Sequence, residues 1–135
     1  MKSASQEWQQ ARKAAFVQEV LDSLARRPSD LLPFEEVRQQ LRLYHKRYRG
    51  LQDVPLDQIV GSVGRYRDFT RAFLPRQDGL EDRWRKIERL VSSGGGLPPV
   101  ELFKVGQVYF VHDGNHRVSV ARQNKAPSIE AYVWE

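Results

Sequence analysis

The stretch Tyr109-Phe110-Val111-His112-Asp113-Gly114-Asn115-His116-Arg117-Val118-Ser119-Val120-Ala121 carries the chain from an extended run through one glycine into a helix. Tyr109, Phe110 and Val111 favour a strand, and the helix that follows carries His116 and Arg117 in its first turn. The opening N–H groups of a helix have no internal acceptors and bear partial positive charge, so a turn of this kind attracts anions. Gly114 allows a sharp bend and keeps a Cβ out of the path of an approaching group. Arg117 offers a charged two-pronged donor, and His116 a further donor. Each residue also has a plainer reading. Gly114 serves as a turn glycine, Asp113 or Asn115 as a cap on the amides, Arg117 as the partner of a carboxylate, and His116 as a core histidine. His112 and His116 flank the turn rather than share a helix face, and no third ligand accompanies them, so no metal site is expected.

Working outward, Val100–Val105 and Val108–His112 flank Gly106-Gln107 as the arms of a hairpin. Arg117–Asn124 reads as a short helix with Val118 and Ala121 inward. Ile129–Trp134 reads as a strand with Ile129, Ala131 and Val133 on one face. Upstream, Leu80, Trp84, Ile87 and Val91 mark a helix that ends at Gly94-Gly95-Gly96. Residues 61–78 hold two glycines, four arginines and three aromatics without a clear period. Val54–Val60 reads as a short strand with Pro55 near its start or on an edge. Two helices precede it. One spans residues 5–26 with Phe16, Val17, Val20, Leu21 and Leu24 on one side. The other starts at Pro33, repeats Phe34, Val37, Leu41, Tyr44 and Tyr48, and stops at Gly50. The order of elements is that of an α+β chain, with residues 1–50 as an N-terminal helical extension and 51–135 as the domain proper.

The 135 residues suffice for one core. Apolar residues make up 40% and charged residues 29%, which is a globular composition. The absence of cysteine excludes disulfides, thiolate nucleophiles and Cys-based zinc sites. No apolar run approaches the roughly 20 residues that span a bilayer, and the N-terminus lacks the apolar core of a signal peptide. The expectation is a cytoplasmic chain with no membrane partner. Lys and Arg outnumber Asp and Glu by 22 to 17, which favours anionic partners without choosing among them.

Residues 54–134 resemble the ParB/sulfiredoxin superfamily in the order VPLDQIV, EDRWRKIERLVSSGGG, LPPVELFKV, QVYFVHDGNHR, VSVARQNK and SIEAYVW. The resemblance implies a small mixed sheet with packed helices, preceded here by two extra N-terminal helices. In ParB proteins the matching turn reads Gly-Glu-Arg-Arg and cradles a nucleoside triphosphate. In sulfiredoxin it reads Gly-Cys-His-Arg, and in free-serine kinases of the fold Asp-Gly-His-His-Arg. Asp113-Gly114-Asn115-His116-Arg117 sits nearest the last. The resemblance therefore implies a nucleotide or other phosphate ligand at Gly114, Asn115, His116 and Arg117, with ATP, ADP or CTP and magnesium as the cofactors to test.

The departures matter equally. Asn115 stands where sulfiredoxin needs its cysteine, so peroxiredoxin repair is excluded. The helix-turn-helix and dimerising segments of partition proteins have no counterpart. In the kinases a carboxylate base follows the first strand, and the matching segment here offers only Asp68 among arginines; Asp68 and Asp113 are the weak catalytic candidates, and whether the chain is an enzyme stays open.

Arg65 and Arg67, interleaved with Tyr66 and Phe69, belong to the segment that in the family lies near the nucleotide, where arginines meet phosphates and an aromatic meets a base. The plainer reading makes Phe69, Phe73 and Leu74 core plugs. Glu81 and Asp82 precede Arg85 and Lys86 by four residues, which describes a solvated helix face. Arg42, Lys46, Arg47 and Arg49 form a denser patch without nearby acids in the sequence, the candidate surface for DNA or RNA in an alternative, non-catalytic reading. The sequence leaves the oligomeric state open.

Overall fold

The computed structural model describes residues 6, 8, 9, 11, 12, 15–17, 19, 31–43, 45–64, 68–76, 78–94 and 96–135. Six strands are present among them: β1 (Leu32–Pro33), β2 (Tyr48–Pro55), β3 (Ile59–Ser62), β4 (Val100–Val105), β5 (Val108–Asp113) and β6 (Ser128–Trp134). Three helices accompany them: α1 (Phe34–Gln40), α2 (Glu81–Ser92) and α3 (Asn115–Gln123). The described residues up to 19 are also helical. The strands form one mixed sheet in the order β1-β3-β5-β4-β6-β2. β4 and β5 pair as the expected antiparallel hairpin, whereas β1–β3, β3–β5 and β4–β6 are parallel. The chain has an α+β fold with a small mixed sheet and packed helices.

Alternation along β5 feeds both faces of the sheet. Tyr109 and Val111 enter a core with Val100, Leu102, Val118, Ala131 and Val133, which α3, Phe69, Phe73 and Leu80 complete. Phe110, on the opposite face, packs with Val37, Val105, Leu32 and Val17. The α1 residue Phe34 lies 5.3 Å from the Phe110 ring. The N-terminal part of the chain thus covers the second face of the sheet around Phe110, and without it that ring would meet water.

The N-terminal expectations change in instructive ways. The second helix stops at Gln40 rather than at Gly50. Arg42 takes φ 54°, and the Arg42 and Leu43 amides turn back to the Gln39 and Arg38 carbonyls, which folds Leu41 and Leu43 onto the core. Tyr48, assigned by periodicity to that helix, instead begins β2 opposite Trp134. Pairing with a distant strand outweighs a helical period that lacks a strong propensity behind it. Tyr44 lies outside the described residues, as do Val20, Leu21 and Leu24. Val17 is buried against the Gly106 turn, but Phe16, expected inward, is exposed.

Residue 50, the expected seam between extension and domain, falls inside β2, and β1 adds a second contribution from the extension to the sheet. The expected strand Val54–Val60 is interrupted by a 3-10 turn at Leu56–Gln58. The Leu56 amide donates to the Pro127 carbonyl and Arg122 Nη1 donates to the Leu56 carbonyl, so the start of that turn is held by the residue before β6 and by α3. Pro55 closes an edge strand, where its missing N–H costs no ladder bond.

β3 runs between β1 and β5 at close quarters because Gly61 has no side chain. A Cβ there would press on the Leu32 carbonyl and lie 2.5 Å from Cδ1 of Phe110. Backbone cannot retreat as a side chain can. Gly61→Ala is therefore expected to destabilise the fold by about 1–3 kcal/mol, as overpacking does. Urea unfolding measures it, and a variant with an unchanged midpoint would mean that β1 is not seated on β3.

Candidate phosphate-binding turn

β5 delivers the chain to Gly114, which adopts φ 117° and ψ 28°. A Cβ at Gly114 would stand 2.5 Å from Cγ1 of Val100, so glycine is required by both backbone angle and space. α3 begins at the next residue, and the Val118 amide donates to the Gly114 carbonyl at 3.0 Å. No side chain caps the helix. Both capping candidates are engaged elsewhere. Asn115 Oδ1 accepts from Ser62 Oγ at 2.9 Å, and Asn115 Nδ2 donates to the Gly64 carbonyl at 3.2 Å. Asp113 Oδ2 accepts from Arg117 Nη2 at 2.8 Å.

Arg117 takes a different role from the expected one. Its Nη1 donates to the carbonyls of Pro98 and Pro99 at 3.0 and 2.9 Å, while Nη2 meets Asp113. The guanidinium ties the segment entering β4 to α3, so the plainer reading, a carboxylate partner, describes it as it stands. A proline pair supplies carbonyl acceptors and no amide donors, which suits a side chain made only of donors.

His116 is buried and meets Phe69 edge-on, with ring centroids 5.3 Å apart. His112 lies on the other face, 3.6 Å from a Glu101 oxygen and stacked near Phe103. The strand-to-helix turn thus sends the two imidazoles to opposite faces of the sheet. Arg65 and Arg67 lie outside the described residues, although Gly64, just before them, touches Asn115. Asp68 is half-buried, and its carbonyl accepts from the Arg76 amide.

Phe69 and Phe73 are core plugs, whereas Leu74 is exposed. Phe73 has φ 60°, a costly angle for an aromatic residue. Its carbonyl is held by Ser119 Oγ, which in turn accepts from Trp84 Nε1 at 2.9 Å. Ser119 and the fully buried Ser62 are the polar nodes that sequence reasoning missed. Each sits in an apolar run, and the only hint in the sequence is a hydroxyl where periodicity asks for a hydrophobe. A cavity of about 430 Å³ between Thr70, Arg71 and Arg122 lies at the far end of α3 from Gly114.

The expected basic patch is not one helix face. Lys46 sits over the Phe103 ring at 5.0 Å. Arg47 exchanges backbone hydrogen bonds with Glu135, and Arg49 forms an ion pair with the same residue at 3.1 Å. Arg42 is exposed beyond α1. The patch that lacked acids in the sequence acquires one from the end of β6. On α2, Arg85 pairs with Glu81 at 2.8 Å, as expected for a solvated face. No helix among the described residues is long and apolar enough to cross a membrane.

No family model matches this chain. No curated protein matches it either. Among solved structures, the chain is similar to sulfiredoxin from Arabidopsis thaliana, with a TM-score of 0.46 and 18% identity over 62% of this chain and 82% of that one. That likeness is one of architecture.

Because Arg117 satisfies two carbonyls and a carboxylate, of which the Pro99 carbonyl is part-buried, Arg117→Ala is expected to lower stability by about 1 kcal/mol. Arg117→Lys should recover only part, since an ammonium cannot reproduce the planar fork. Urea unfolding of the two variants at one pH separates these outcomes.

Proposed function

We propose that this chain binds the phosphate group of a nucleotide at the N-terminus of α3. The observation that carries the reading is that α3 starts without a side-chain cap although Asp113 and Asn115 flank its first turn. Both carry good capping groups, and both are spent on other partners. The positive end of a helix in that condition is complementary to an anion.

The contacts of Arg117 and Asn115 favour backbone over side-chain donors in this reading. Backbone amides of the first turn are the primary donors. Arg117 and Asp113 form one ion pair beside the turn, so neither adds net charge there, and Asn115 fixes the turn against β3 through Ser62. Arg65 and Arg67 follow Gly64 in the chain and are the side chains best placed in sequence to add charge. ATP, ADP and CTP are the ligands in question, and the reading includes no catalytic step.

Calorimetric titration with ATP, ADP and CTP, each with and without magnesium, is expected to show binding that weakens as salt rises. Removal of two positive charges in an Arg65→Ala, Arg67→Ala variant should reduce the affinity severalfold without lowering thermal stability. Wild type that takes up none of the three at millimolar concentration would overturn the assignment.

A further inference from the structure

The last turn of α3 holds Arg122, a half-buried residue whose Nη1 donates to the Leu56 carbonyl at 2.6 Å. Among the described residues no carboxylate pairs with this guanidinium. Its fork carries five N–H donors, so one carbonyl does not exhaust it. Arg122 stands on the wall of the cavity of about 430 Å³, which Asp57 and the turn Thr70, Arg71 and Ala72 also line. Phe69 and Phe73, both fully buried, hold that turn in place from either side. A second hollow of about 330 Å³ adjoins the first, with Asp57 and Arg122 common to both.

The chemistry of the lining selects the ligand. Arg71 and Arg122 against Asp57 leave one net positive charge. That balance suits a monoanion, and Asp57 repels a second negative charge. A guanidinium matches the planar, two-oxygen end of a carboxylate. Thr70 Oγ1 already accepts from the Leu74 amide at 3.1 Å, so its own proton is left to donate. Ile59, Val60 and Ala72 give the cavity an apolar wall, and Ala126 and Pro127 continue it past Arg122. Small-molecule sites combine a volume of about 300–1,000 Å³ with an apolar lining and a few fixed polar groups. This cavity has that combination, whereas a di- or triphosphate would bring several like charges to Asp57.

We propose that the cavity binds a small aliphatic monocarboxylate, its carboxylate on Arg122 and Arg71 and its carbon chain along Ile59, Val60 and Ala72. The site lies at the far end of α3 from Gly114 and does not depend on the phosphate reading. Calorimetric titration with acetate, butyrate and hexanoate is expected to show affinity rising about threefold per added methylene as the chain leaves water. Hexylamine, with the same chain and a cationic head, should not bind, and inorganic phosphate should not displace hexanoate. Ala72→Glu sets a negative charge in the cavity and should weaken hexanoate binding by about tenfold or more. Asp57→Asn removes one and should tighten it severalfold. Both side chains are exposed, and thermal unfolding verifies that each variant is folded. A wild type that takes up none of the three acids at millimolar concentration overturns the proposal. Binding indifferent to both substitutions overturns the location, and displacement by phosphate as readily as by butyrate overturns the choice of a carboxylate.

Discussion

β5 is buried on both of its faces, and this constraint organises the molecule. Tyr109 and Val111 belong to one core and Phe110 to another, so neither layer can be removed without exposing part of the same strand. The hairpin partner β4 and the helix α3 are placed by their connection to it, and β3 can lie beside it only because Gly61 clears space for the Phe110 ring. The position of the α3 N-terminus is then a consequence. It lies where β5 runs out, at the one residue able to adopt φ 117° against Val100.

Around that junction the polar side chains are spent on fixing segments to each other rather than on closing the helix. Ser62 and Asn115 join β3 to α3, Arg117 joins α3 to the segment before β4, and Ser119 joins α3 to Phe73 and Trp84. These ties hold four stretches of chain near one turn while its amides stay uncapped.

The N-terminal residues act as structure rather than as an appendage. Val17, Leu32, Val37 and Phe34 cover the half of the second face nearest Phe110. Phe34 also reaches Phe103 at 5.0 Å, and from there Trp134, Tyr132 and Tyr48 continue toward the β2 edge. The second face thus carries a packed layer around Phe110 and a partly exposed aromatic one toward β2.

The sequence by itself determined the elements whose cause is local. The hairpin around Gly106, the helix after Gly114, the α2 face with its Glu81–Arg85 pair and the alternation of β6 follow from periodicity, turn chemistry and spacing within a few residues. Tertiary structure alone decided the rest. Tyr48 fits a helical stripe and becomes a strand because Trp134, remote in sequence, offers a ladder partner. Arg117 has the chemistry of a phosphate ligand and is drawn instead to carbonyls of Pro98 and Pro99 that no local pattern places beside it. Glu135 neutralises Arg49 for the same reason. Periodicity records how a residue relates to its chain neighbours, whereas the partner of a charge or of a strand edge is set by which distant segments the core brings together.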